Sequence, residues 1–220
     1  MSFDVDRRAV LTGAGLLLAG CAAPQQAPPR PSLGFGFPLG AASRYGAIDD
    51  HGIEIPALDL AQINPELLRE EVSYRAPFRP GTVVVNVAER RLYLVEPNGA
   101  ALRYAVGVGR EEALNFHGSA VIGRKAEWPS WTPTATMMAK LPGYAAYAGG
   151  MPGGIDNPLG ARALYLYRGD RDTFFRLHGT IEPETIGTPV SSGCIRLFNQ
   201  DIIDLYNRVP LGAPVMVLQG

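Results

Sequence analysis

The sequence predicts a mainly β fold. Short runs of alternating apolar residues recur from Gly81 onward, Gly- and Pro-rich turns separate them, and one long stretch near the C-terminus has a helical period. The segment TVVVNVAERRLYLVEPNGAALRYAVGVG reads as three strands, with Val83, Val85 and Val87 on one face of the first and Leu92 and Leu94 on one face of the second. Asn98-Gly99 supplies the strongest short-range hairpin signal between the second and third. SAVIGRKAEW is a further strand, WPSWTPT a loop, and ATMMAK one or two helical turns. GGMPGGIDNPLGARA is a long Gly/Pro loop of the kind that carries function or mobility, read equally as a lid or as an inert connector. ALYLYRG and TFFRLHG follow as strands. NQDIIDLYNRV places Ile202, Ile203, Tyr206 and Val209 on one helical face and is stopped by Pro210; APVMVL closes the chain as a strand.

The first 80 residues divide differently. Residues 1–20 hold Arg7-Arg8 and an apolar run from Ala9 to Ala19, the pattern of a secretory signal too short to span a bilayer. The paired arginines resemble a Tat-type signal, so Tat and Sec export both stay open. LAGC, ending at Cys21, resembles a bacterial lipobox and implies cleavage before Cys21 and lipidation of its thiol. Residues 21–55 read as a lipidated Pro-rich tether. Residues 56–80 read as a short helical strap, with Asn64 as cap and Pro65 at the first helical position. The compact domain is expected over 81–220. With 46% hydrophobic residues and a net charge of −1, the chain has a real core and no electrostatic footprint for nucleic acid.

The chemistry concentrates in HGTIEPETIGTPVSSGCIRL, residues 178–197. The chain has two cysteines, and lipid on Cys21 leaves Cys194 without a disulfide partner in an oxidising compartment. Such a thiol is most simply explained by use. His178 lies sixteen residues upstream, and a loop with Pro183, Gly187 and Pro189 turns the chain back towards it. A neighbouring imidazole can take the thiol proton and give a thiolate–imidazolium pair. The amides of Gly193 and Cys194 can face a developing oxyanion. Arg196 falls on the same face as Cys194 if the segment is extended, and reads either as a clamp for a substrate carboxylate or as a structural ion-pair partner. Ser191 and Ser192 shape the turn or the site. Trp128 and Trp131 read as packing, with a groove wall as the alternative. His51 and His117 have no metal-site spacing and read as surface or local structure.

His-Gly-Thr followed by Ser-x-Gly-Cys-Ile-Arg-Leu resembles the YkuD-type L,D-transpeptidases of bacterial cell walls. The resemblance runs over about residues 81–219 and includes GTVVVNVAERRLYLV, IGRKAEWPSWTP, NPLGARALYL and DIIDLYNRVPLGAPVMVL. It implies a β-sandwich-like catalytic fold with no metal or organic cofactor. It implies Cys194 as nucleophile and His178 as base, with Gly193, Ser191, Ser192, Arg196 and Gly179 around the oxyanion and substrate. Many members carry a second histidine where Ser192 stands here, which leaves His178 as the one base the motif offers. NFHGS replaces the Thr-Pro-Thr-Gly turn expected before the IGRK strand, a scaffold variation.

The implied reaction is acyl exchange. The thiolate attacks a peptidoglycan tetrapeptide stem, expels its terminal D-alanine, and passes the acyl group to an amine. That amine belongs to another stem, giving a 3-3 cross-link, to a protein anchored to the wall, such as an outer-membrane protein, or to a free amino acid. Water as acceptor gives an endo- or carboxypeptidase. A different class is a catalytically silent wall-binding lipoprotein, against which the retention of both Cys194 and His178 speaks. A sortase-like enzyme places its histidine much farther upstream, and a papain-like protease has its cysteine first. The expected location is the periplasm, lipid-anchored through Cys21; Ala22 carries no inner-membrane retention signal, which favours the outer membrane.

Overall fold

Alternating apolar residues and tight turns produce a meander at the start of the domain. In the computed structural model, which describes residues 40–111, 115–140, 142–191 and 193–219, β4 (Val83–Asn86), β5 (Arg91–Val95) and β6 (Ala100–Ala105) pair antiparallel in sequence. The β5–β6 turn holds Asn98 and Gly99 at φ 63° and 73°, the left-handed pair that a tight hairpin needs. The later strands are β8 (Gly118–Glu127), β9 (Arg162–Arg168), β10 (Arg171–His178), β12 (Ile195–Arg196) and β13 (Pro214–Leu218). With β3 (Glu70–Ser73) they form one nine-stranded mixed sheet, ordered β12-β10-β9-β8-β13-β4-β5-β6-β3. The closing strand β13 enters its middle, parallel to β4 and antiparallel to β8. Two small pairs lie outside it: β1 (Ile48–Asp50) with β2 (Ile53–Ile55), and β7 (Val108–Gly109) with β11 (Pro189–Ser191). The fold is mainly β, as expected.

One core joins the two halves of the sheet. Val83, Val85, Leu92 and Tyr104 from one half pack in the same cluster as Ile122, Leu164, Leu166 and Leu177 from the other, and with Ile202 and Leu205 of α3 (Asn199–Arg208). Residues 162–166 of β9 are all buried, because neighbouring strands and α3 cover it. Lys125 of β8 reaches the end of α3, where its Nζ donates to the carbonyls of Tyr206 (2.6 Å) and Val209 (2.8 Å). A cation there complements the helix dipole and satisfies terminal carbonyls.

The N-terminal region departs from the sequence reading. The signal segment, Cys21 and the tether up to residue 39 lie outside the described residues. Within the tether drawn to residue 55, α1 (Ala41–Arg44) and the β1–β2 hairpin are folded. The helical strap is a single 3-10 turn, Pro65–Leu67: Asn64 caps it as expected, its side chain accepting from the Glu66 amide at 3.0 Å, and the chain then enters β3. Glu70–Ser73 pair with Ala100–Arg103 at the sheet margin. Local helix propensity is a weak preference, and an open strand to pair with overrides it.

The N-terminal region is fixed to α3 by buried polar groups. Tyr45 donates its hydroxyl proton to Asp201 Oδ1 (2.9 Å) and accepts from the Arg69 amide (2.5 Å). The Arg69 guanidinium lies 3.0 Å from Asp204 and 3.5 Å from Asp201, and Tyr104 donates to Asp204 at 2.6 Å. Asp201 is fully buried; desolvation dominates and pushes its carboxyl up to about 7, although Arg69 and the Tyr45 hydroxyl oppose the shift. This explains why the buried face of α3 is Asn199, Gln200, Asp201, Ile202 and Leu205, while the expected Ile203 and Tyr206 are only half-buried. The helix is packed from two sides. A second pair, Arg162 with Asp50, is bidentate at 2.5 and 2.8 Å and fastens the hairpin to β9.

Candidate active site

β10 and β12 run parallel with Leu177 opposite Ile195 and His178 opposite Arg196. Residues paired across a sheet point to the same face, and so do residues two apart on an extended segment. That register puts His178, Arg196 and Cys194 on one side. The far edge of the segment is held by Gly107, whose amide and carbonyl pair with Arg196 at 2.9 Å each, and by the Arg110 amide on the Ser191 carbonyl. His178, Ser191, Cys194 and Arg196 line one cavity of about 90 Å³.

The turn before the thiol is held by Ser191. This buried hydroxyl donates to the Cys194 carbonyl at 2.6 Å and accepts from the Gly193 amide at 3.0 Å. Gly193 has φ 124°, backbone that a side chain disfavours. Its N–H, expected to face an oxyanion, is here turned into the loop and occupied by Ser191. Ser192 lies outside the described residues.

His178 is 4% exposed, and its Nδ1 is 2.6 Å from the Gly179 carbonyl. The neutral ring places its proton there and leaves the Nε2 lone pair to accept. Burial pulls the imidazole down to about 4, against hydrogen bonds to the backbone at Gly179 and Leu159, and the guanidinium charges of Arg196 and Arg176 act in the same direction as burial. Burial also pushes the half-buried Cys194 thiol up, although the Arg176 amide donates to it and the Arg176 and Arg196 charges favour thiolate. Both shifts favour the uncharged form. The resting pair is therefore neutral thiol and neutral imidazole, rather than the ion pair expected from the residue types. A base with a depressed pKa stays competent until pH falls through that value. Acylation of Cys194 is expected to stay level as pH drops through the ordinary histidine range near 6.5, and to decline only towards about 4. A pH profile of acylation rate checks this.

The rest of the cavity comes from elsewhere in the chain. Trp131, Met137 and Tyr144 form one wall, with Met137 in α2 (Ala135–Lys140), and Pro158 and Leu159 of the long Gly/Pro loop form another. Trp131 thus takes the groove-wall role and stands edge-on to Tyr144 at 5.2 Å. Trp128 is not in the lining. Arg196 lines the cavity and at the same time pairs with Glu182 at 2.6 Å, so both of its readings have a physical basis. His51 and His117 are surface residues. Among the described residues no group of three or more His, Cys, Asp or Glu is placed to hold a metal ion.

Two positioning residues escaped the sequence reading. Asn199, at the start of α3, accepts from the Ala161 amide at 3.0 Å and donates to the Thr180 carbonyl at 3.0 Å. It ties the Gly/Pro loop to the segment that follows His178. Glu182 holds Arg196. An Asn immediately after Ile-Arg-Leu-Phe had no signature beyond the helix start. Gly179 proves to be a close-packing position: an added Cβ would meet Asn199 Oδ1 at 2.1 Å and the Ala161 amide at 3.1 Å. Gly179→Ala is expected to cost about 1–3 kcal/mol through overpacking and to impair acylation, because it displaces the carbonyl that orients His178. Thermal unfolding and acylation rate measured on one sample check both parts.

Comparison with known proteins identifies the family. Residues 80–217 match the model of the YkuD family, described as the L,D-transpeptidase catalytic domain. The probable L,D-transpeptidase ErfK/SrfK of Escherichia coli K12 is 37% identical over 147 residues, 62% of this chain and 43% of that protein, so the chain spans less than half that relative's length. A putative L,D-transpeptidase from the ATP synthase subunits region of Fuscovulum blasticum is 34% identical over 191 residues, covering 82% of this chain and 94% of that one. A crystal structure from Brucella melitensis, described as a probable carnitine operon oxidoreductase, is 45% identical, covers 73% of this chain and 99% of that one, and has a TM-score of 0.49; the oxidoreductase wording belongs to that protein. With its family match covering well over half its length, the chain belongs to the YkuD family of L,D-transpeptidase catalytic domains.

Proposed function

We propose that this protein is an exported peptidoglycan L,D-transpeptidase with Cys194 as nucleophile and His178 as general base. The observation that carries the reading is that Cys194 and His178 share one cavity, with His178 Nδ1 pinned to the Gly179 carbonyl. This leaves one ring nitrogen to take a proton. In the first half, His178 accepts the thiol proton as the sulfur bonds to the carbonyl carbon of the penultimate residue of a tetrapeptide stem. The oxyanion that forms faces the Cys194 amide. The imidazolium then protonates the leaving amine, the C–N bond breaks, and D-alanine departs from a thioester. In the second half, an acceptor amine attacks the thioester and gives its proton to His178. The C–S bond breaks, and the sulfur recovers a proton from the ring. Arg196 meets the terminal carboxylate of the leaving D-alanine, in exchange with Glu182. The neutral resting pair supports proton transfer concerted with attack, since no stable thiolate precedes substrate.

The chain is placed at the periplasmic face of a membrane by lipid on Cys21, and its acceptor is a second stem or a wall-anchored protein. The test exposes the protein to a carbapenem and to tetrapeptide-rich muropeptides, then measures mass. An adduct on Cys194 and D-alanine release support the reading. The products separate cross-linking from hydrolysis. Absence of both adduct and release leaves a wall-binding module.

A further inference from the structure

The sheet face that carries Cys194 extends past the thiol cavity. Leu177 lies opposite Ile195 across β10 and β12, so the residues before them, Arg176 and Cys194, are neighbours on the face shared with His178. Arg176 lies opposite Tyr165 of β9, and Tyr165 lies opposite Arg124 of β8. One row therefore crosses four strands in the order Cys194, Arg176, Tyr165, Arg124. The adjoining residues Leu164, Leu177 and Ile195 point to the opposite face, into the core. Cys194 and Arg176 are half-buried and Arg124 is exposed, so the row opens to solvent with distance from the sulfur.

The far end of the row holds unpartnered donors. The Tyr165 ring is flanked by a guanidinium from each neighbouring strand, Arg124 at 4.5 Å and Arg176 at 4.3 Å from its centroid. Arg176 is compensated by Asp172, which accepts from it at 2.8 and 2.9 Å. Arg124 has no such partner. Among the described residues it makes no hydrogen bond and no ion pair, and the Tyr165 hydroxyl makes no hydrogen bond either. A guanidinium held over a ring with its N–H groups unused, beside a free phenol, suits a carboxylate.

Length selects which carboxylate. Adjacent strands lie about 4.8 Å apart, so Tyr165, under the Arg124 guanidinium, is about 10 Å from Cys194 along the row. The leaving D-alanine is assigned to Arg196, which leaves the row across β10, β9 and β8 for the rest of the donor. The carboxylate of a side-chain-linked glutamate just upstream of the acylating residue sits about 9 Å from the reacting carbonyl when the chain is extended. We propose that Arg124, with the Tyr165 hydroxyl, is a specificity residue of the donor subsite: it binds the free carboxylate of an acidic residue immediately upstream of the residue whose carbonyl Cys194 attacks. The inference rests on the transpeptidase reading. It adds a choice between donors whose upstream carboxylate is free and donors in which it is amidated.

The readout is a ratio. Full-length wild type and Arg124→Gln are each given two synthetic tetrapeptide donors, identical except that the upstream carboxylate is free in one and amidated in the other. The measurement is kcat/KM for D-alanine release. Wild type is expected to favour the free acid at least ten-fold. Arg124→Gln should bring that preference within two-fold by losing the free acid alone. Arg124→Lys should restore part of it, since it returns the charge without the fork. A folding defect slows both donors together and leaves the ratio in place. A ratio unchanged in Arg124→Gln therefore overturns the proposal, as does a wild type that treats the two donors alike. A wild type that releases no D-alanine and takes no carbapenem on Cys194 overturns the transpeptidase reading instead. Titration of both peptides onto the full-length Cys194→Ala chain, with and without Arg124→Gln, decides the carboxylate site without turnover. At least five-fold tighter binding of the free acid, lost with Arg124→Gln, upholds it; equal binding of the two peptides removes it.

Discussion

His178→Ala is expected to slow acylation of Cys194 by about 10²–10⁴-fold, the range for loss of a positioned general base. The size follows from the protonation states. With the thiol pushed up and the imidazole held down, almost no thiolate exists before substrate arrives, so the reaction depends on proton removal during attack. Cys194→Ala should abolish acyl transfer entirely while the fold persists, since Cys194 is half-buried and the deletion is one sulfur. Intact-mass detection of the adduct, beside circular dichroism of both variants, checks the pair. Transfer by Cys194→Ala at a rate near wild type would end the nucleophile assignment.

Arg69→Ala is expected to be the most damaging change to stability outside the hydrophobic core. Removing one partner from a buried charged cluster costs about 3–5 kcal/mol, because the remaining charges stay desolvated. Here those charges are Asp201, fully buried, and Asp204 beside it. The sign of the pH dependence is fixed by Asp201. Its carboxyl is raised to about 7 in the folded chain, so below that value it holds a proton and needs no counter-charge. The loss should be largest near pH 8 and smaller near pH 5. Chemical denaturation of wild type and Arg69→Ala at both values measures the difference. An equal loss at both would mean that Asp201 is not the group Arg69 supports.

Much of the domain was legible because its signals are local. Asn98-Gly99 fixes a hairpin by backbone conformation alone, and the alternation around Val83 to Val95 needs no partner to be read. The His178 and Cys194 pairing was legible as a motif, and the β10–β12 register supplies the geometry that a motif lacks. What sequence did not reveal depends on contacts distant along the chain. β3 exists because β6 offers it a neighbour thirty residues away. Asp201 and Gln200 lie off the apolar face read for this helix and are buried only because Tyr45, Gly46 and Pro56 meet them. The protonation states reversed the simplest expectation for the same reason: burial is a property of the assembled site.

The position of β3 bears on how the protein behaves when shortened. The family match begins at residue 80, so a chain trimmed to that match would lose β3 and lay bare the flank of β6 over Ala100–Arg103, with Ala101 and Leu102. A strand left with an unpaired row of amides and carbonyls is a template for a second molecule. A chain trimmed in this way would self-associate through that flank, and a poorly behaved preparation would then say nothing about the cavity around Cys194 at the other end of the sheet.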